Sequence, residues 1–484
     1  MFALQKQWFK QDFRTSMGIS SNDLKKVSRK KASRSNGGVS GAATSVTCIY
    51  YFCFALLLLL ALPLLLFKKK ARAGFSEKIG IIPSRIKSKQ RELAGCLWFH
   101  AVSVGEFNAV FPLIKAFKKE HPGAGLVVST TTGTGQALAR EKCRDLAEVI
   151  YFPYDLPFSN KAWLDALSPS LVAITETEIW PGFTYECKKR GIMLTVVNGR
   201  ISPRSFKGYR RFRAFFGPVL RRFDNIGVQS VEEAERYRAV AGDEAKISVL
   251  GNLKFDGLTP PGDETRAALR ALVKVGTGSA PVVVAGSTHE GEEAAFLKYL
   301  KEHGQKKEFH LILVPRHPER FQHVARLIEE AGFVVRRYSK QEGFLPDLPL
   351  AKQVYLLDVI GKLFDFYSLA DIAFVGGTLA PIGGHNIMEP YAYGVPVVVG
   401  PHVEKTRDVA QSLSQAGALT MVSSGEALTP ALSLLLSDES ERLSRGERGR
   451  RILLASQGAV TKAMQMLEAT LAQNNHSHEL SGLN

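Results

Sequence analysis

Apolar residues fall in three regimes along this chain. Up to residue 46 they follow no sustained period. Residues 47–67 then form an unbroken uncharged run, long enough to span a bilayer. From Leu97 onward, short β-rich apolar runs alternate with stretches whose apolar residues return at helical spacing. The first series of runs covers residues 97–103, 126–131, 149–154, 171–175, 193–197, 225–228 and 247–250. A second covers 282–286, 309–314, 333–337, 354–357, 372–375 and 395–399. Between them Leu258-Thr-Pro-Pro-Gly-Asp263 reads as a linker. Strands separated by helices predict doubly wound parallel sheets. The expectation is an α/β protein with two tandem Rossmann-like domains, 75–257 and 263–471, and a cleft between them. The last helices are expected from about residue 426 to 471. The polar end beyond them reads as frayed.

Charge refines this picture through its location. The formal net charge is +17, of which residues 1–46 carry +7 and residues 68–91 carry +8, leaving +2 for 92–484. Nucleic-acid binding asks for basic charge spread over a folded face. Here the charge brackets an apolar run, which points to anionic membrane lipid as partner and away from nucleic acid. Residues 1–46 read as disordered: a cytosolic tail, a removable transit peptide, or an over-long start with Met17 as the true beginning. Residues 47–67 are expected to be a membrane anchor. Basic residues are denser after the run than before it, which places 68–484 in the cytosol. The five cysteines show no metal or redox spacing, which suits a reducing compartment.

Candidate chemistry sits at predicted strand ends. Trp98-Phe-His-Ala-Val-Ser-Val-Gly-Glu106 opens as a strand and turns into a helix. Glu106 then stands in a first helical turn at the carboxyl edge of a sheet, where such folds bind ligands. The helix dipole there favours its ionised form, a candidate general base. The plain alternative is a good helix-terminus residue. Thr175-Glu176-Thr177-Glu178 ends another strand. Of these two carboxylates, one is expected to face the cleft. Lys254, in Asn252-Leu-Lys-Phe-Asp256 between the domains, can stabilise developing negative charge.

In the second domain, Gly376-Gly-Thr378 and Pro381-Ile-Gly-Gly-His-Asn-Ile-Met-Glu-Pro390 follow a strand. Glycines let backbone amides approach an anion, and a following helix would add its dipole. Asn386 and Glu389, one turn into that helix, suit a nucleotide sugar, Glu389 meeting the ribose diol. Arg316, after a neighbouring strand, can grip a phosphate with two bonds. Thr132-Gly-Thr-Gly-Gln136 is an incomplete dinucleotide fingerprint, because Leu138 holds its third glycine position. There is no Asp-x-Asp pair to clamp a metal diphosphate. Residues 200–222 hold eight basic side chains, no acid and interleaved aromatics, which suits contact with lipid phosphates.

On these stretches the chain resembles the 3-deoxy-D-manno-octulosonic acid (Kdo) transferases of lipopolysaccharide assembly. The matching pieces are 100–106, 175–181, Asn198-Gly-Arg-Ile-Ser-Pro-Arg-Ser205, 252–256, Ser287-Thr-His-Glu-Gly-Glu292, 314–321 and 383–389, in the family's order. The resemblance implies an inner-membrane enzyme of the two-Rossmann-domain, GT-B glycosyltransferase type. It implies transfer of Kdo from CMP-Kdo to the lipid A precursor (lipid IVA), with inversion and without a metal or other cofactor. Carried over by position, the general base falls on Glu106 and the transition-state stabilisers on Glu176 and Lys254. The CMP contacts fall on Pro315, Arg316, Ile360, Gly361, Lys362, Asn386, Ile387, Met388 and Glu389. Two departures stand out. The extension before the apolar run is unusual for bacterial members and keeps an organelle membrane open as the location. Lys362 replaces an expected acid. A UDP-sugar transferase or epimerase and a tethered scaffold without catalysis are the other classes, and nucleotide inhibition and turnover separate them.

Overall fold

The computed structural model describes residues 50–51, 73–260, 262–275, 280–306 and 308–481. The expected tail, and the expected anchor apart from Tyr50 and Tyr51, lie outside the described residues. Among the described residues no helix is long and apolar enough to cross a membrane.

The first sheet comprises β1 (Leu97–His100), β2 (Leu126–Thr130), β3 (Glu148–Tyr151), β4 (Leu171–Thr175), β5 (Met193–Gly199), β6 (Asn225–Val228) and β7 (Ile247–Val249). The second comprises β8 (Val282–Thr288), β9 (His310–Pro315), β10 (Val334–Arg337), β11 (Gln353–Leu356), β12 (Ile372–Val375), β13 (Val397–Val399) and β14 (Leu419–Met421). Strands run in the order β3-β2-β1-β4-β5-β6-β7 and β10-β11-β9-β8-β12-β13-β14. Neighbouring strands pair parallel throughout, as in β1 with β4 and β8 with β12. Parallel strands need helical crossovers, which cover both faces and make the strands apolar throughout. Alternation is still visible in the packing. Trp98, Val172 and Ile174 join one core layer, whereas Leu97, Phe99, Leu171 and Ala173 join the other. Val283 and Ala285 face one layer of the second domain, and Val282 and Val284 its opposite.

Each sheet has a switch point where the winding direction reverses, between β1 and β4 in the first and between β8 and β12 in the second. Splayed connections leave a crevice at the carboxyl edge there. The expected catalytic stretches follow β1 and β4, and the expected glycine-rich loop follows β12.

Two differences from the sequence reading bear on the site. β1 stops at His100, because Ser103 caps the next helix, Val104–Glu120, by accepting from the Glu106 N–H. The last helix, Ala459–Ser481, belongs with the first domain. Its Ala459, Ala463, Met464, Met466 and Leu467 pack with Phe99, Val110 and Leu253. Asp256 fixes its start, accepting from Gly458 N at 3.0 Å and Val460 N at 2.7 Å. The chain therefore crosses between domains twice, side by side, near residues 252–258 and 455–459.

Candidate active site

Glu106 is held by the turn that carries it. Its carboxylate accepts from Val102 N at 2.8 Å and from Ser103 Oγ at 3.2 Å. The Val102 carbonyl in turn accepts from Thr131 N and Thr132 N, both at 3.2 Å, so the β2 loop fixes the turn. This is a capping arrangement, and it leaves the carboxylate half-buried at the β1 edge. Burial pushes the Glu106 carboxyl up to about 7, and the nearby Glu176 and Glu178 push the same way. The Val102 and Ser103 bonds only partly oppose them. The helix dipole alone predicts the opposite direction, and desolvation outweighs it. A carboxyl poised near 7 suits a base working near neutral pH.

Glu176 and Lys254 come together: Lys254 Nζ donates to Glu176 Oε1 at 3.1 Å. Asn252 places Lys254 by capping the short helix Leu253–Asp256, accepting from Lys254 N at 3.1 Å. Buried Asn198 reaches over from the end of β5, its Oδ1 accepting from Leu253 N at 3.0 Å. Glu176 itself has φ +60°, the left-handed conformation that a non-glycine residue adopts only when its surroundings impose it. Tyr237 imposes it in part, its hydroxyl donating to the Glu176 carbonyl at 3.2 Å. Residues two apart share a face of an extended chain, and both Glu176 and Glu178 lie near Glu106, so the expectation that only one faces the cleft does not hold. Both act on Glu106. Glu178, which the sequence reading passed over, is itself raised by burial while the Trp180 indole bonds it. His100 is a core residue, fully buried, stacked 3.8 Å from Phe152 and held neutral by burial, which lowers it to about 3.

The second domain presents its edge differently from expectation. The amides after β12 do meet an anion, but it is Glu292. One of its oxygens accepts from Thr378, Leu379 and Ala380 N at 3.1, 2.9 and 3.2 Å. The other accepts from Gly377 N and His289 N, both at 2.9 Å. Glu292, absent from the sequence-derived site, thus builds the loop's shape. Gly383 and Gly384 have φ of +91° and +81°, which carries the chain back toward the sheet edge. No regular helix follows. Glu389 precedes a four-residue 3-10 turn, Pro390–Tyr393, so little dipole is available. Glu389 Oε1 accepts from Asn386 Nδ2 at 3.2 Å. Burial raises Glu389 to about 7, while Asn386 and the charge of Arg316 pull it down. Arg316 is exposed beyond the end of β9, after buried Pro315. Ile387 and Met388 send their side chains into the core, so only their backbone atoms can meet a ligand. Gly361 has φ +86°, with Ile360 exposed beside it. Lys362 Nζ lies 3.3 Å from Asp365 Oδ2 at the same sheet edge.

An unforeseen histidine cluster completes this edge. His289 Nε2 and His385 Nε2 are 2.8 Å apart with nearly parallel rings, and His317 stands against His289. Burial, then Arg316, lowers His385 to about 3. Among the described residues, no group of three or more His, Cys, Asp or Glu is arranged to hold a metal ion.

Two parallel-sheet α/β domains, with a poised acid on one switch-point edge and a glycine-rich loop on the other, make a GT-B-like architecture. A family model for 3-deoxy-D-manno-octulosonic-acid transferase (kdotransferase) matches residues 73–257. The 3-deoxy-D-manno-octulosonic acid transferase of Haemophilus influenzae is 33% identical over 380 residues, 78% of this chain and 88% of that protein. The Bordetella pertussis protein of the same name is 33% identical over 391 residues, 78% of this chain and 87% of its own. The chain belongs to the Kdo transferase family, enzymes of lipopolysaccharide biosynthesis. A crystal structure of a glycosyltransferase from Rickettsia africae superposes with a TM-score of 0.53 at 14% identity, covering 78% of this chain and 99% of that one, a likeness of fold alone.

Proposed function

We propose that the chain moves Kdo from CMP-Kdo to a hydroxyl of the lipid A precursor lipid IVA, with inversion. The observation that supports this reading best is Glu106, a desolvated carboxyl near 7 at the first domain's switch point, opposite the donor edge. Glu106 takes the proton of the acceptor hydroxyl. The hydroxyl oxygen bonds to the anomeric carbon of Kdo from one face. The bond from that carbon to the phosphate oxygen breaks on the other, and its electron pair leaves with CMP. Lys254, held in place by Glu176, supplies a fixed ammonium where the domains meet. Arg316 takes the phosphate. Pro315, the 360–362 turn and residues 386–389 hold the rest of CMP, Ile387, Met388 and Lys362 through backbone atoms. CMP leaves as a monophosphate, so no metal or other cofactor is assigned.

Full-length protein in detergent, given CMP-Kdo and tetra-acyl lipid A precursor, is expected to form the Kdo–lipid product and to resist EDTA. CMP should inhibit and UDP should not. UDP inhibition, or a loss restored specifically by Mg²⁺, would move the chain to another donor class.

The same reading anchors the chain in the inner membrane through residues 47–67, with the catalytic domains cytosolic. Tyr50, at the start of that run, donates to Asp155 at 2.7 Å and lies 6.2 Å from the Phe215 ring. That contact supports seating the run beside the basic stretch. The stretch is divided in use. Arg221 and Arg222 donate to the Ala241 and Pro181 carbonyls, and Arg200 turns toward the second domain. Arg204, Lys207, Arg210, Arg211 and Arg213 stay exposed with Phe212, while Phe206, Tyr209 and Phe216 pack on the core. Protein lacking residues 1–67 should therefore still bind anionic vesicles. Each Lys/Arg near such a surface is worth about 1 kcal/mol, screened by salt. Binding should weaken with salt, and further when Arg210, Arg211 and Arg213 become Ala. No binding at low salt would reduce the stretch to a solvated face.

A further inference from the structure

Arg200 bonds one half-site to the other. It follows Gly199 at the carboxyl end of β5, next to the Glu176 turn. Its backbone is held on both sides. Its carbonyl accepts the Thr177 hydroxyl. Ile201 N donates to Glu233 Oε2 at 2.7 Å, and Arg236 donates to the Ile201 carbonyl at 3.1 Å. From this fixed base the guanidinium crosses the cleft and donates to the Lys405 carbonyl at 3.0 Å. Lys405 N donates to the Gly383 carbonyl, also at 3.0 Å. Gly383 begins the loop that ends at Glu389. A continuous set of bonds therefore runs from the Glu176–Thr177 turn, beside Lys254, to the glycine-rich loop of the other domain. Both ends of this chain lie at a switch-point edge. The crossover at 252–258 reaches only the first of these ends, through Lys254 and Glu176.

We propose that Arg200 is a positioning residue that clasps the donor loop to the first domain, so that filling the loop fixes Glu176 and Lys254 against the reacting centre. The proposal rests on residues 383–389 being the CMP loop. A guanidinium suits the task because it stays charged and offers several donors in a planar fork. Its bond goes to the Lys405 carbonyl, a backbone atom, so the role assigned to it is alignment. A misplacement of 1 Å between reacting groups can lower a rate by about 100-fold.

The test uses Arg200→Met, which keeps a similar stem, in the full-length protein with CMP as probe. CMP affinity should stay within about twofold of wild type while kcat falls about 10–100-fold, because binding is local to one domain and alignment is not. Amide hydrogen exchange reads the coupling directly. In wild type, CMP should protect residues 383–389 and also 177–179. In Arg200→Met it should protect only the loop. Arg200→Lys should recover part of both effects. If Arg200→Met keeps kcat within about twofold, or keeps CMP protection at 177–179, the clasp is wrong. If its CMP affinity collapses, Arg200 is a nucleotide ligand and the clasp is again wrong. If CMP protects no loop even in wild type, the donor reading itself falls, and the clasp with it.

Discussion

Glu106→Gln should leave a folded protein that binds CMP normally and turns over about 10²–10⁴-fold more slowly, the range for loss of acid–base catalysis. The amide keeps the carboxylate's shape; its oxygen can accept from Val102 N and its NH2 can donate to Ser103 Oγ, so the turn should survive. What it cannot do is take a proton. The pH profile gives an independent check. A base works deprotonated, and burial holds Glu106 up to about 7. Turnover should therefore rise through pH 7 and fall about tenfold for each unit below it, two units or more above the limb of an ordinary glutamate. Glu389 is also pushed up to about 7 and is the competing source of that limb. In Glu389→Gln the limb should persist while the KM for CMP-Kdo rises. Near-normal turnover in Glu106→Gln, or loss of the limb in Glu389→Gln, would remove Glu106 from the role of base.

How much of this could be read in the sequence follows from how local each feature is. The inner strands were legible because crossover helices cover both faces, which forces apolar runs such as Leu171–Thr175. β14 was not, since of its three residues Leu419 is buried and Met421 is exposed. Glu106 was legible as a terminus residue at a sheet edge, but its proton affinity was not. That depends on desolvation and on two carboxylates from another strand end, neither of which has a sequence signature. The Glu176–Lys254 pair joins residues 78 apart and was anticipated only through family resemblance. Glu178 was set against Glu176, although positions two apart in an extended chain share a face. The glycine loop after β12 was read as reaching for a ligand's anion. The four loop amides at 377–380 instead go to Glu292, a residue 84 positions before Gly376, which nothing in the loop's own sequence reveals. The last helix has the amphipathic pattern of any surface helix, and only tertiary packing shows which domain it covers.

The second large effect is expected at Lys254. Lys254→Met should lower turnover about 10²–10³-fold, the range for losing one preorganised electrostatic stabiliser. The fold should hold, because the short helix around it is fixed by Asn252, Asn198 and Asp256, none of which bonds the ammonium. CMP affinity should also hold, since Lys254 stands on the first domain's side of the cleft. The change has a second, diagnostic consequence. Lys254 neutralises Glu176 across 3.1 Å. Without it, the Glu176 carboxylate acts uncompensated on Glu106, and like charges raise a carboxyl further. The acid limb of the pH profile should therefore move up from about 7, so that part of the loss is recovered at alkaline pH. Adding Glu176→Gln to Lys254→Met should bring the limb back down without restoring the rate, separating tuning of the base from stabilisation of the leaving group. Residues in such contact are not additive, so the double variant is compared with each single one. If Lys254→Met turns over within about threefold of wild type, the pair is a surface ion pair of the usual small value and the electrostatic role fails. If the rate falls but the limb stays at 7 in every variant, Lys254 acts on the leaving group alone and Glu176 does not tune the base.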